Sequence, residues 1–244
     1  MRASAGEGLA ACAAVVLGLA ACAGRPPAAP VPPPGLPTAA PGQLLAPAQL
    51  AVIADRTARS QAMFVELGRV LTHPRCVNCH PPDDTPRQGE AGALHDPPVL
   101  RGADDRGIPA LGCTTCHQDR NAELARIPGA PDWHLAPRTM VWLGKTPAEI
   151  CVQLKDPARN GGRTLAQVAD HLAHDAIVAW GWQPGADRAP VPGTQAQAAA
   201  LVQAWIETGA ACPAPPPAPS SSASSSAPSA PTPHASPVAP EVSR

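Results

Sequence analysis

One pentapeptide occurs twice in this sequence, as Cys-Val-Asn-Cys-His at 76–80 and as Cys-Thr-Thr-Cys-His at 113–117. The C-x-x-C-H pattern is typical of covalent attachment of haem c. Two thiols at this spacing reach the two vinyl groups of one porphyrin and form thioethers, and the histidine that follows binds the iron. The motifs therefore predict two haem c groups with an electron-transfer role, held by Cys76, Cys79, His80, Cys113, Cys116 and His117.

Paired C-x-x-C units also build closed zinc sites, in which Cys and His ligands surround the metal tetrahedrally. Residues 80–112 separate the two units here, a stretch of 33 residues, compared with roughly 15–20 in a compact zinc ribbon. A ribbon also has no need of a histidine directly after each pair. A thioredoxin-like dithiol needs its C-x-x-C within a βαβ pattern, which this sequence lacks. Haem is favoured, and zinc is the alternative.

The sixth iron ligand lies outside the motif, and the sequence offers several candidates. His95, in a Pro-rich loop, and His134, between apolar neighbours, are the preferred distal ligands. His171 and His174 are the runners-up; they share one helical face because they are three residues apart, and Asp175 is available to pair with one of them. Weaker candidates, for which a structural role is the simpler explanation, are His73, Met63 and Met140.

Two cysteines, Cys151 and Cys212, remain after the haem thiols and the two leader cysteines are removed. In an oxidising compartment two such cysteines usually pair, so the sequence predicts a disulfide. The alternative is a pair of buried free thiols. A bridge that closes a loop of about 60 residues contributes roughly 4 kcal/mol to the free energy of unfolding in the chain-entropy model.

The N-terminus has the features of an export signal. Arg2 supplies a positive charge, and 9–21 is an apolar run too short to span a bilayer. The run ends in Leu-Ala-Ala-Cys at 19–22, which resembles the bacterial lipobox, so Cys22 is the predicted lipidation site. An ordinary secretory signal, or an uncleaved helix, is the alternative. A lipid anchor implies a periplasmic protein held on a membrane, and Ala23 favours the outer membrane.

Composition divides the chain, which has 244 residues, 34 prolines and a formal charge of −1, into four parts. Pro/Ala-rich sequence indicates an extended spacer, and Pro/Ser/Ala-rich sequence without large apolar residues indicates disorder. The predicted order is a lipoprotein signal peptide, a linker, a di-haem domain and a disordered tail, at 1–21, 22–47, 48–212 and 213–244. The near-neutral charge, without a cluster of basic residues, argues against a nucleic-acid partner.

The domain is predicted to consist of helices separated by long loops. Apolar residues recur at helical spacing over 48–71. Capping boxes, in which a threonine is followed three residues later by Glu or Gln, predict the starts of further helices at Thr146, Thr164 and Thr194. The stretch 81–140 is rich in Pro and Gly and has little periodicity, so loops are expected there.

The predicted fold class is mostly α with long irregular loops, forming a single di-haem c-type cytochrome-like domain. The motifs begin 37 residues apart, at Cys76 and Cys113, and two independent single-haem domains would need more chain between them. Both haems are thus expected in one domain, close enough for direct electron exchange. Five Trp, one Phe and no Tyr leave few aromatic rings for the core, and porphyrins would supply the missing apolar area.

Four longer segments extend these motifs: HPRCVNCHP at 73–81, PGAPDWHLAP at 128–137, KDPARNGGR at 155–163 and WGWQPG at 180–185. With these segments, 65–212 resembles a group of small bacterial di-haem c-type proteins named as subunits associated with isoquinoline 1-oxidoreductase, a molybdenum hydroxylase. The resemblance implies that the chain passes electrons to or from an exported dehydrogenase. The resemblance implies that the four motif cysteines attach haem and that the two motif histidines bind iron. It assigns no distal ligand.

The expected function is electron transfer between a periplasmic dehydrogenase, such as a molybdenum hydroxylase, and the respiratory chain, by a lipid-anchored di-haem cytochrome that is not itself an enzyme. Two alternatives stay open. A di-haem peroxidase-like enzyme would need an open iron position and nearby acid–base groups. A haem-free zinc-binding lipoprotein would use the same cysteines as metal ligands. The expected partners are a redox protein and, through the lipid, a membrane.

Overall fold

The computed structural model describes residues 37–216. Over this range 38% of the residues are helical and 6% lie in strands, with no closed sheet. The prediction of a mostly helical fold with long irregular loops is therefore confirmed. The predicted signal peptide, the lipidation site Cys22 and most of the predicted linker and tail lie outside the described residues. No helix within 37–216 is both long enough and apolar enough to cross a membrane.

Helices occupy both ends of the described range, and short hairpins lie between them. The α-helices are α1 Pro47–Leu50, α2 Arg56–Leu71, α3 Pro74–Val77, α4 Pro147–Leu154, α5 Leu165–His174, α6 Ala176–Ala179 and α7 Gln195–Glu207. Short 3₁₀ turns span Cys113–Thr115, Glu123–Ala125 and Trp180–Trp182. Antiparallel hairpins pair β1 Arg87–Gln88 with β2 Ala93–Leu94, and β3 Gly107–Ile108 with β4 Leu111–Gly112. Both hairpins lie in the long connection from α3 to α4.

The helix predicted over 48–71 is interrupted. α1 ends at Leu50, and α2 begins after Asp55, whose carboxylate accepts a hydrogen bond from the N–H of Ala58 at 2.7 Å. An aspartate at this position satisfies a free N–H of the first turn and so begins a new helix. The prediction of one continuous helix is wrong, because the apolar spacing continues across the break while the polar cap decides where the helix begins.

Three of the longer helices begin where the capping boxes predict. In α4, α5 and α7 a threonine hydroxyl accepts from the third N–H of the helix, and the side chain of the third residue accepts from the threonine N–H. α5 ends at His174. The Asp175 carboxylate accepts hydrogen bonds from the N–H groups of Ile177 and Val178 and so begins α6.

The core lies where α2 packs against α4 and α7, and where α7 packs against α5. Phe64 and Trp205 are fully buried, with ring centroids 4.8 Å apart. The buried Ser60 hydroxyl donates to the carbonyl of Trp205 at 3.2 Å and accepts from the N–H of Ala211 at 3.0 Å. These bonds hold the chain that follows α7 against α2.

Both ends of the described range are tied into this core. The disulfide predicted between Cys151 and Cys212 is confirmed, with the two Cα atoms 5.6 Å apart, and it links α4 to the segment after α7. At the other end, Leu44 and Leu45 are only 5% and 6% exposed. The N–H of Leu45 donates to the Glu66 carboxylate at 2.9 Å. Packing of the chain therefore begins before residue 48.

Candidate haem sites

We define site 1 as Cys76, Cys79 and His80, and site 2 as Cys113, Cys116 and His117. Each site lies on a single helical turn. In site 1 the N–H of Cys79 donates to the carbonyl of Cys76 at 3.1 Å, and in site 2 the N–H of Cys116 donates to the carbonyl of Cys113 at 3.3 Å. Residues three apart in a helical turn share one face, so each pair of thiols lies on one side of its motif. All four are free thiols.

The two motif histidines make the same backbone contact. The Nδ1 of His80 lies 3.0 Å from the carbonyl oxygen of Met140, and the Nδ1 of His117 lies 2.8 Å from that of Pro128. A carbonyl accepts but cannot donate, so Nδ1 carries the proton and Nε2 keeps its lone pair. Burial lowers the pKa of His80 to about 3 and lowers that of His117. Both rings are thus neutral, the form that binds metals.

A tryptophan stacks on each motif histidine. The rings of His80 and Trp142 are parallel within 2°, with centroids 3.6 Å apart. Those of His117 and Trp133 are parallel within 9°, with centroids 4.6 Å apart. Trp133 belongs to a segment that the sequence analysis singled out. Trp142 was missed, because no motif surrounds it and the residue lies 62 positions after His80.

The segment that follows Leu135 holds site 1 in place. The N–H of Ala136 donates to the carbonyl of Cys79 at 3.1 Å, and the N–H groups of Trp142 and Leu143 donate to the carbonyl of His80 at 3.0 and 3.2 Å. A turn closed by the N–H of Met140 and the carbonyl of Pro137, at 2.7 Å, presents the Met140 carbonyl to the imidazole. The backbone of one loop therefore orients the whole motif.

An apolar groove with about 1000 Å³ of space between atoms, part of it open to solvent, lies over site 1. Its apolar walls include side chains from α2, α4, α5 and α7, namely Leu67, Leu71, Leu154, Val168, Leu172 and Val202. Burial raises the pKa of the Cys76 thiol to about 12 and that of Cys79 to about 11. Two uncharged thiols and a neutral imidazole form a donor set that fits the vinyl groups and the iron of a haem. The apolar groove beside them fits the porphyrin ring.

At site 2 a single side-chain amide organises the surrounding loop. The Oδ1 of Asn121 accepts from the N–H of Gly129 at 3.1 Å and from the indole N–H of Trp180 at 2.9 Å. Trp180 in turn packs edge-on against Trp133, with centroids 5.0 Å apart. A Cβ on Gly129 would lie 2.3 Å from the carbonyl oxygen of Arg120, so glycine is required there.

Asn121 thereby fixes the peptide that follows Pro128, whose carbonyl binds His117. The sequence does not single out Asn121, because its partner Trp180 lies 59 residues away and the two meet only in the folded chain. Trp180 therefore contacts both the Asn121 amide and Trp133.

The four predicted distal ligands lie in different places: two at site 1, one at site 2 and one on the surface. His134 and His171 both line the groove over site 1, and the Nδ1 of His171 lies 3.2 Å from the Asp175 carboxylate. His95 lies instead beside site 2, with its ring centroid 5.9 Å from that of His117. The exposed His174 pairs with Asp170 at 2.8 Å.

The weaker candidates have structural roles. The Nδ1 of His73 accepts from the N–H of Arg75 at 3.2 Å and caps α3. Met63 lies in the core between helices. Met140 is buried and lines the groove over site 1, and its carbonyl is the acceptor for His80.

Residues 37–216 contain no group of three or more His, Cys, Asp or Glu side chains arranged to hold a metal ion by themselves. The four motif cysteines, as placed, do not converge on one closed tetrahedral site. Each motif instead presents its own thiols and its own imidazole.

Comparisons with protein-family models, with curated proteins and with solved structures found no match to this chain.

Proposed function

We propose that this chain is a c-type cytochrome that carries one haem c at site 1 and one at site 2 and transfers electrons. The observation that carries the proposal is the arrangement repeated at His80 and His117. Each imidazole has its Nδ1 bound to a backbone carbonyl, a tryptophan stacked on its ring and two free thiols on its own helical turn. The repeat arises from different local sequences, so it reflects a shared chemical requirement.

Haem c, when bound, supplies a one-electron redox centre. The chain attaches it through the thiols and offers the Nε2 of each motif histidine to the iron. The carbonyls of Met140 and Pro128 keep the imidazoles in one orientation and make them stronger donors. The apolar groove at site 1 restricts water and lowers the local dielectric, and both effects tune a redox potential.

Segment 133–136 runs between the two sites. Trp133 stacks on His117 of site 2, while the next residue, His134, lines the groove over site 1. The N–H of Ala136 donates to the carbonyl of Cys79 at 3.1 Å. Because these three contacts of one short segment reach both sites, the geometry supports the proposed electron exchange between two haems within one domain.

The partners follow from the resemblance of 65–212 and from the leader. A periplasmic dehydrogenase, such as a molybdenum hydroxylase, is the proposed partner on one side and the respiratory chain on the other. Lipidation of Cys22 would hold the cytochrome on a membrane outside the cytoplasm, with the outer membrane favoured. Haem c is attached in that same compartment.

A pyridine haemochrome spectrum tests the proposal. The full chain is produced in a bacterial host that exports it and attaches haem c, and the haem is quantified against protein. We expect the covalent haem c band at two haems per chain. A preparation of folded, exported protein without this band would overturn the proposed function.

A further inference from the structure

We infer that the Nε2 of His95 is the sixth iron ligand at site 2, on the opposite side of the haem from His117. The inference rests on the proposed function and assigns a residue to one of its two centres. Three features support it: the distance between the two rings, the hydrogen bond that each Nδ1 makes to a backbone carbonyl, and the hairpin that carries His95.

The spacing of the two imidazoles matches a shared metal ion. The centroids of His95 and His117 lie 5.9 Å apart, and the ring planes meet at 71°. Metal–imidazole bonds are about 2.0–2.1 Å long, so two imidazoles on opposite sides of one ion have centroids about 6 Å apart. The two histidines are therefore neighbours at the centroid spacing that one shared ion would require.

Both rings are prepared for binding in the same way. The Nδ1 of His95 lies 2.8 Å from the carbonyl oxygen of Pro97, and the Nδ1 of His117 lies 2.8 Å from that of Pro128. Each Nδ1 must carry the proton, so each Nε2 has a free lone pair. Metal-bound histidines commonly have their other nitrogen held in this way.

The position of His95 is set by a hairpin anchored inside the other motif. The N–H of His95, directly after β2, donates to the carbonyl of Pro86 at 3.1 Å, and the N–H of Arg87 donates to the carbonyl of Asn78 at 3.1 Å. The Asn78 side-chain amide donates to the carbonyl of Gly89 at 2.9 Å. Asn78 belongs to the first C-x-x-C-H motif, so site 1 supports the hairpin that carries the ligand of site 2.

The other candidate histidines in the described part of the chain lie at site 1 or have other partners. His134 and His171 line the groove at site 1, and His73 caps α3. His174 is paired with Asp170 on the surface. A site 2 iron with histidine on both sides has no open position, which is the coordination of an electron carrier rather than of a peroxidase.

The test is His95→Ala, compared with His174→Ala, which removes an exposed histidine from α5. Haem content is measured by pyridine haemochrome, spin state by electron paramagnetic resonance, and the open position by carbon monoxide titration of the reduced protein. We expect His95→Ala to keep two haems per chain while one iron becomes high-spin and binds one additional equivalent of carbon monoxide. Added imidazole should restore the low-spin signal, and His174→Ala should match the parent.

A second variant, His95→Met, keeps the test decisive if His95→Ala fails to fold. His95→Met offers a different ligand, so it should stay low-spin with one reduction potential raised, since methionine ligation raises the potential. If His95→Ala or His95→Met, with two haems bound, has the spectrum, the potentials and the carbon monoxide stoichiometry of the parent, the assignment is wrong. A parent protein without haem would instead overturn the proposed function itself.

Discussion

The imidazoles of His80 and His117 depend on backbone atoms that lie far away or in irregular loops. The Met140 carbonyl reaches His80 from 60 residues downstream, and the Pro128 carbonyl reaches His117 from 11 residues downstream. A carbonyl cannot rotate away once its own peptide is fixed, so the ring is oriented more firmly than by a flexible side chain. In the proposed cytochrome, the residues that fix those peptides would therefore orient the iron ligands without contacting the iron themselves.

Asn121→Ala tests this role at site 2. The substitution leaves the N–H of Gly129 and the indole N–H of Trp180 without their acceptor. Unpaired donors of this kind cost about 1–3 kcal/mol in free energy of unfolding. We also expect a shift in the reduction potential of one haem only, measured by redox titration. Gln203→Ala, which removes an exposed amide on α7, is the control, and equal shifts at both haems would contradict the assignment.

Glu149 predicts a pH dependence of stability. Hydrogen bonds from Thr146, followed by Lys145, lower the pKa of this carboxyl to about 2 in the folded chain. Because the unfolded value is about 4.3, its contribution is present above that pH and is lost as the pH falls towards 2. Glu149→Gln keeps an acceptor but does not titrate. The stability difference between parent and variant, from urea denaturation, should shrink across this range; a constant difference would exclude the effect.

The roles of single residues can be predicted where they follow from spacing or composition within the sequence itself. The pairing of Cys151 with Cys212 follows from counting the cysteines and is confirmed, whereas the role of the motif cysteines and histidines stays a prediction from their spacing. The contacts of Trp142, Asn121 and the Met140 carbonyl could not be predicted, because they depend on which loops meet in three dimensions.

At the scale of elements, local caps decided the boundaries better than apolar periodicity. The capping boxes before α4, α5 and α7 predicted three helix starts, since each box satisfies N–H groups within the same few residues. Periodicity alone joined α1 to α2, because it does not register a polar cap such as Asp55. The hairpins in 81–140 escaped prediction, because strands of two residues are too short to show alternation.

The contact between α2 and α4 predicts that Gly68→Ala destabilises the protein. A Cβ at this position would lie 2.7 Å from the Pro147 Cγ, and the proline ring cannot move aside. Overpacking of about 1–3 kcal/mol should exceed the gain in helix propensity of about 1 kcal/mol. Val65→Ala, on an exposed part of α2, is the matched control and should be nearly neutral. An increase in the denaturation midpoint of Gly68→Ala would mean that the two helices are farther apart.

The disulfide predicts a dependence on reducing agent. The bond closes a loop of 61 residues, worth about 4 kcal/mol in the chain-entropy model. The double variant Cys151→Ala with Cys212→Ala should lose stability of that order, and reductant should lower the parent towards the variant while leaving the variant unchanged. Equal stability of parent and variant under oxidising conditions would contradict the structural role of the bond.

At the scale of the whole molecule, the few aromatic rings are divided between a core and the two sites. Phe64 and Trp205 pack together between α2 and α7, and Trp182 packs against the same core. Trp133 and Trp142 stack on the motif histidines, and Trp180 packs edge-on against Trp133. The scarcity of aromatic residues predicted cofactors in the core but gave no indication of this division. The packed helices α2, α4, α5 and α7 thus support the long irregular connection from α3 to α4, which contains the second C-x-x-C-H motif.

The most direct test of two separate haem sites in one domain is the intact mass of the exported full chain. The parent should carry the mass of two haem groups, Cys76→Ala with Cys79→Ala should carry one, and Cys113→Ala with Cys116→Ala should carry the other. Far-ultraviolet circular dichroism checks that each variant is folded. A parent without added haem mass, or a motif variant that still carries two haems, would contradict the account.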